Sequence, residues 1–263
     1  MRIKVLGCYG TEMFSYRTSG YLDIYKTSGL LINDNLIVDA GSITTSIDIP
    51  EQEKITHILL SHSHLDHIKG LPFLGDNLWG RVTRSIEIMG IKETIDSVKN
   101  NIFNDSIWPD ITKIPATGET IYRLAELKEG EKVSIGKLEV TPIRVNHVIP
   151  TVGYIIDDGN SAIVYSGDTH KTEKIWKEAS KRDNLKAAII ETSFPNRLSN
   201  FAISSGHLTP ELLKEEFKKI GKPDIRLFVY HMKPQYLDEI KKDIGALKMN
   251  NIVILQDGKI IEV

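Results

Sequence analysis

Ten short runs of apolar, often β-branched residues recur along this chain, and their length limits the fold more than any other feature. They read RIKVLG at 2–7, GLLIN at 29–33, LIVDAG at 36–41, THILLS at 56–61, LEVTPIRV at 138–145, VGYIID at 152–157, SAIVYSGD at 161–168, KAAIIETS at 186–193, IRLFVYH at 225–231 and NIVILQDG at 251–258. Most are too short for helices and rich in Ile and Val, so they are read as strands. Amphipathic segments separate the later ones. Thr172 is placed to cap a helix over about 172–183 whose Ile175, Trp176 and Ala179 share a side. Thr209 is placed to cap another over about 210–220, with Pro210 at its first position and Leu213, Phe217 and Ile220 as its apolar stripe. Leu237, Ile240, Ile244 and Leu247 keep the same period over 235–247. Strands that interleave with helices define an α/β chain whose sheets are covered by helices.

At 263 residues and 41% hydrophobic content the chain can bury a real core without staples. Residues 1–263 are expected to form a single domain, with 76–130 read as a cap-like insertion over one end, because loop punctuation such as NDSIWPD and IPATGET dominates there. The single cysteine, Cys8, rules out an internal disulfide framework and fits a reducing cytoplasm. No run of eighteen apolar residues and no export pattern occurs, so neither membrane insertion nor secretion is expected. Lys and Arg number 33 against 35 Asp and Glu, with the signs interspersed, which argues against a general nucleic-acid binder.

The stretch SHSHLDHIKG at 61–70 carries the chemistry. His62 and His64 lie two residues apart and point to one side while the chain is extended, so two imidazoles converge on one point. If the chain turns helical at about Asp66, that carboxylate and His67 face a second point nearby. His147 follows the strand run LEVTPIRV, Asp168 sits in SGDT after another, and His231 ends a third. Polar groups at the C-terminal ends of apolar strands can gather in one cleft.

The motif HSHLDH, followed by a later His, an Asp after a strand and a final His, resembles the metallo-β-lactamase superfamily. More narrowly, SHSHLDHIKGLPFL, VNHVIPTVGY, YSGDT, ETSFPN, SGHLTPE and VYHMKP, in this order over about 57–234, resemble the class II cyclic-nucleotide phosphodiesterases; VLGCYG and LIVDAGS extend the likeness to the start. The resemblance implies an αββα sandwich, two mixed sheets face to face with helices outside and metals at one edge. It implies that His62, His64 and His147 hold one divalent ion, that Asp66, His67 and His231 hold the other, and that Asp168 bridges both. Zinc is the expected ion because the set is rich in imidazole, although Mn²⁺ or Fe²⁺ tolerates the same ligands.

A hydroxide between two such ions is a nucleophile at neutral pH and would attack phosphorus in line with the departing sugar oxygen, with Asp66 orienting or deprotonating the water. His207, in SGHLTPE just before a helix start, is the candidate proton donor to that oxygen or a phosphate-binding group. The helix dipole there would lower its pKa, and a plain loop histidine is the alternative. Lys233 in HMKP is a candidate phosphate contact, and Trp108, with Phe103, a candidate wall for the nucleoside. Asp39 is read either as a buttress of the metal ligands or as a strand-ending turn. His57 and His170 are read as structural and loop residues, and Glu191 and Thr192 as support for His207.

The expected reaction is hydrolysis of 3′,5′-cyclic AMP or GMP, a small-molecule phosphodiester, to the 5′-monophosphate. The alternatives are another hydrolase of the same fold, acting on precursor tRNA, a lactone or a thioester, and a metal-binding scaffold without turnover. Homodimers are common among related hydrolases, and one is compatible with this sequence.

Overall fold

The computed structural model describes residues 1–16, 22–115 and 118–263. All ten apolar runs contain strands. The first sheet runs in the order Ile260–Glu262, Arg2–Gly7, Gly29–Ile32, Leu36–Val38, His57–Leu59, Ile86–Ile91, Tyr122–Leu127. The second runs Val133–Ile135, Leu138–Val145, Thr151–Asp157, Ala162–Tyr165, Leu185–Glu191, Arg226–Tyr230, Ile252–Ile254. A separate ribbon pairs Met13–Tyr16 with Leu22–Tyr25.

Both sheets repeat one pairing scheme. In the order given, each starts with three antiparallel pairings and continues with three parallel ones. Parallel neighbours need crossover helices, and those helices cover the outer faces.

Strand period places the core. In the first sheet Ile3, Val5, Leu30, Ile32, Leu36 and Val38 pack inward with residues of the second sheet, such as Val140, Tyr154 and Ile189. Their alternates Leu31, Ile37, Ile58 and Ile88 turn outward to Leu71, Leu74 and Leu78 of the helix Gly70–Leu78 and to Ile95 and Val98 of the helix Lys92–Asn101. The second sheet is covered by the helices Lys174–Ser180, Pro210–Lys218 and Leu237–Ala246, through Trp176, Leu213, Phe217 and Ile240. This is the expected αββα sandwich. Burying each such large apolar side chain contributes about 1.5–3 kcal/mol.

Three local expectations are corrected. Residues 76–130 are not only a cover: Ile86–Ile91 and Tyr122–Leu127 are strands of the first sheet, and Lys92–Asn101 is a helix between them. The run SIEIMGI hid its strand because Glu87 and Gly90 break the apolar pattern, although Ile86, Ile88 and Ile91 are buried. Thr172 caps nothing: the helix begins at Lys174, and the Thr172 amide instead donates to Glu216 Oε2 at 2.9 Å. Thr209 does precede Pro210 at the helix start, but its hydroxyl makes no capping bond.

No helix among the described residues is long and apolar enough to cross a membrane. Cys8 is buried, and burial pushes its thiol pKa up, an effect that nearby Asp257 reinforces.

Candidate metal centre

Parallel strands from both sheets end at one edge, where the chemistry-bearing residues sit. Asp39 follows Leu36–Val38, and His62 follows His57–Leu59. From the second sheet, Asp168 follows Ala162–Tyr165, Glu191 ends Leu185–Glu191 and His231 follows Arg226–Tyr230. The chain stays extended through His64 and becomes helical at Leu65, so the extended part offers His62 and His64 while the first turn offers Asp66 and His67. Gly41 lets the segment after Asp39 lie against that turn, because a Cβ there would overlap Asp66 O.

The ligand atoms converge in two groups joined by Asp168, and a third set, Asp168, His207 and His231, overlaps them. His62 Nε2 lies 3.1 Å from His64 Nδ1, His147 Nε2 lies 3.2 Å from His64 Nδ1, and Asp168 Oδ2 is 3.7 Å from His62 Nε2. In the second group His67 Nε2 lies 3.2 Å from His231 Nε2, and Asp66 Oδ2 is 3.3 Å from the latter. Asp168 joins both groups, with Oδ2 at 3.3 Å from His231 Nε2 and Oδ1 at 3.4 Å from His67 Nε2. The structure therefore brings together all seven residues that the sequence reading marked as metal ligands.

Hydrogen bonds on the far side of four of the five rings, His64 excepted, fix their tautomers. Ser61 Oγ donates to Asp39 Oδ2 at 2.8 Å, so it accepts from His62 Nδ1 at 2.9 Å. His67 Nδ1 donates to Asp39 Oδ2 at 2.8 Å, His147 Nδ1 to the Gly206 carbonyl at 2.9 Å, and His231 Nδ1 to Ser193 Oγ at 2.9 Å. The opposite nitrogens of His62 and His147 then present lone pairs to the cluster, where His64 Nδ1 has at most one proton for both. Packing acceptors this closely without a cation is unfavourable. Around a tetrahedral zinc with bonds of about 2.0–2.1 Å, neighbouring nitrogens lie about 3.3–3.4 Å apart. Asp168 Oδ1, buried and without a hydrogen-bond partner, adds an orphaned acceptor in the same place. The donor set fits divalent cations.

The charges divide the same way. Burial lowers the pKa of His62 well below the ordinary value, aided by the His67 charge, and burial likewise lowers His64 and His147. Burial also works against His67, but the Asp168, Asp39 and Asp66 carboxylates outweigh it and hold this imidazole well above its usual range. Against the cost of burial, His67 and His231 keep Asp66 and Asp168 well below the ordinary carboxylate range. Asp39 is the anchor: besides Ser61 Oγ and His67 it accepts the Ser61 amide at 2.8 Å and the Tyr165 hydroxyl at 2.6 Å. Ser61, Tyr165 and Ser193 are orienting residues that carried no signal in the sequence.

His207 stands beside the cluster, its ring stacked on His231 with centroids 5.4 Å apart. Glu191 Oε1 accepts from His207 Nδ1 at 2.7 Å, and Glu191 is fully buried. Burial disfavours the His207 cation, yet the Glu191 carboxylate overrides burial and raises the pKa. That reverses the lowering expected from the helix dipole, because an adjoining full charge outweighs the partial charge of a helix end.

The other candidate residues lie outside the ligand groups. Lys233 Nζ donates to the Gly10 carbonyl at 2.5 Å, near enough to His207 for its charge to act against that imidazole's cation. Phe103 is a core residue packed on Tyr122 at 5.7 Å. Trp108 sits edge-to-face on Phe73 at 5.5 Å, outside the clustered imidazoles. His57 bonds Oγ1 of Thr56, just before its strand, at 2.8 Å, and Thr192 Oγ1 donates to the Glu191 carbonyl at 2.7 Å. The His170 amide donates to the Asn146 carbonyl at 2.6 Å, and its side chain joins neither ligand group.

The sandwich, with its His/Asp cluster at one edge of both sheets, is that of the metallo-β-lactamase fold. The metallo-β-lactamase fold protein YhfI from Bacillus subtilis superimposes with a TM-score of 0.73 at 21% identity, covering 99% of each chain. Unliganded yeast PDE1 gives 0.79 at 20% identity, covering 98% of each. Residues 38–239 match the family of class-II cAMP phosphodiesterases, and the chain belongs to that family. Among its relatives, a protein of Yersinia pestis called a probable 3′,5′-cyclic-nucleotide phosphodiesterase is 27% identical over 210 residues, which are 70% of this chain and 59% of the relative. 3′,5′-Cyclic-nucleotide phosphodiesterase 1 of Saccharomyces cerevisiae is 27% identical over 190 residues, 64% of this chain and 51% of the relative. The chain thus spans little more than half the length of these two curated relatives.

Proposed function

We propose that this chain hydrolyses 3′,5′-cyclic nucleotides, cyclic AMP or cyclic GMP, to 5′-monophosphates, with two divalent cations held by the clustered histidines and aspartates. The observation that carries the reading is the double convergence on Asp168, whose carboxylate lies 3.7 Å from His62 Nε2 of one group and 3.3–3.4 Å from His231 Nε2 and His67 Nε2 of the other. His62, His64 and His147 would hold one ion, Asp66, His67 and His231 the other, and Asp168 both. The imidazole-rich donor set favours zinc. When bound, the cations supply Lewis acidity, drawing charge from phosphoryl oxygens and making hydroxide available near neutral pH.

The chain's own residues perform the remaining tasks. Asp66 is the most open of the carboxylates in the site, with its side chain 26% exposed against 2% for Asp168, so it can reach the attacking water and orient it. His207 presents Nε2 on the cluster side, because Glu191 occupies Nδ1. Its raised pKa keeps a proton available for the departing 3′ oxygen of the ribose. Family membership and the named relatives support the phosphodiester, and the interspersed surface charge argues against a tRNA exosite.

The test is purified protein with measured metal content, assayed on cyclic AMP, cyclic GMP, bis-aryl phosphate, precursor tRNA, a lactone and a thioester. Cleavage of cyclic nucleotides, with loss of metal from both positions in Asp168→Ala, is expected. Metal-loaded protein that hydrolyses only the lactone or thioester overturns the substrate assignment, and unchanged metal content in Asp168→Ala removes the bridge.

A further inference from the structure

We infer that Phe201, backed by Phe194, is the surface against which the base of the nucleotide lies; the assignment rests on the cyclic-nucleotide reading above. A chain of ring contacts leads outward from the metal cluster to it. His207 stacks on His231 at 5.4 Å, Phe194 meets His207 edge-to-face at 5.8 Å, and Phe201 meets Phe194 edge-to-face at 5.1 Å. Phe194 is buried at 5% exposure, whereas Phe201 is 56% exposed. A buried ring thus holds an open one beside the residue that serves the leaving oxygen.

The mount is stiff. Phe201 lies on the helix Ser199–Ser205, which ends in Gly206 at φ +75°, and the His207 amide closes that helix on the Ala202 carbonyl at 2.8 Å. The Gly206 carbonyl in turn fixes His147 at 2.9 Å. One short segment therefore sets the His147 ring, the proton donor and the open phenyl ring relative to one another. The helix buries only Ala202, and Phe201, like Ile203 at 48%, leaves much of its apolar surface open beyond its contact with Phe194.

In a cyclic nucleotide the base lies beyond the ribose from the phosphate, and Phe201 lies beyond Phe194 from His207 in the run of ring contacts. A phenyl face accepts any planar heterocycle, since every base offers a π-face, so this surface favours nucleotides over other phosphodiesters without choosing between adenine and guanine.

The test compares the KM of metal-loaded enzyme for cyclic AMP with that for the methyl riboside 3′,5′-cyclic phosphate, which lacks a base. Wild-type enzyme is expected to favour cyclic AMP about tenfold in KM, within the worth of one base–aromatic stack. Phe201→Ala should erase that preference with kcat little changed. Phe201→Trp should restore it, and Phe201→Leu, which keeps apolar bulk without a flat ring, should not. An unchanged preference in Phe201→Ala, equal losses on both substrates, or a wild type indifferent to the base overturns this inference and leaves the phosphodiesterase reading intact. A wild type that cleaves neither substrate overturns both.

Discussion

Asp39 and His67 form a fully buried pair, with Asp39 Oδ2 2.8 Å from His67 Nδ1. The same carboxylate takes three further hydrogen bonds from Ser61 and Tyr165, so it orients His67 directly and His62 through Ser61. Asp39→Asn preserves shape but removes the charge and one acceptor. Metal affinity is expected to fall about 10–100-fold, the usual effect of losing a partner of a metal-ligating histidine. Competition with a chelator measures it, and unchanged affinity would make Asp39 a strand-ending residue only.

Proton release should separate the two ligand groups. The raised pKa of His67 means that this imidazole is protonated at neutral pH before a cation arrives, so binding there expels a proton. His62, His64 and His147 have lowered pKa values, are already neutral, and release none. Affinity of the Asp66/His67/His231 group should therefore rise about tenfold per pH unit below the pKa of His67, while that of the other group has levelled off. Calorimetric titration in buffers of different ionisation heat reads both events, and equal proton release from the two sites would contradict the assignment.

His207→Ala is expected to keep near-normal metal content and to slow diesters with poor leaving groups about 10²–10⁴-fold, sparing nitrophenolate esters that leave without a proton. Glu191→Gln removes the charge that raises the His207 pKa. The donor then loses its proton at lower pH, so the fall of activity on the alkaline side should begin earlier. A pH–rate profile checks the shift, and a profile identical to wild type would detach Glu191 from the proton transfer.

Gly206→Ala probes the backbone under the site. The residue has φ +75°, and a Cβ there would stand 2.7 Å from His147 Nδ1. Strain of about 1–3 kcal/mol is expected, with displacement of His147. Thermal unfolding and metal content should fall together; a variant as stable and as fully loaded as wild type would show that the loop adjusts freely.

Much of this architecture was legible in the residues. Local apolar runs marked the ten strands because burial on two faces demands them, and SHSHLDHIKG announced ligands because its turn from extended chain to helix aims four side chains at neighbouring points. What escaped depended on the tertiary fold. The strands Met13–Tyr16 and Leu22–Tyr25, with their exposed Phe14 and Ile24, lack the buried pattern, and Ile86–Ile91 mixes Glu and Gly into its run. The orienting partners Ser61, Tyr165 and Ser193 are common residues whose role comes from whom they meet across the sheets. Glu191 and His207 are 16 positions apart, and only their contact shows that a buried carboxylate, rather than a helix end, sets the pKa.

Hydrolysis of cyclic AMP by the metal-loaded protein in ¹⁸O-labelled water tests the central claim most directly, with the product read by phosphorus NMR and mass spectrometry. The account predicts 5′-AMP carrying one solvent oxygen on its phosphate, and no product after chelation. Formation of 3′-AMP, or no cleavage by protein shown to hold its metal, would contradict it.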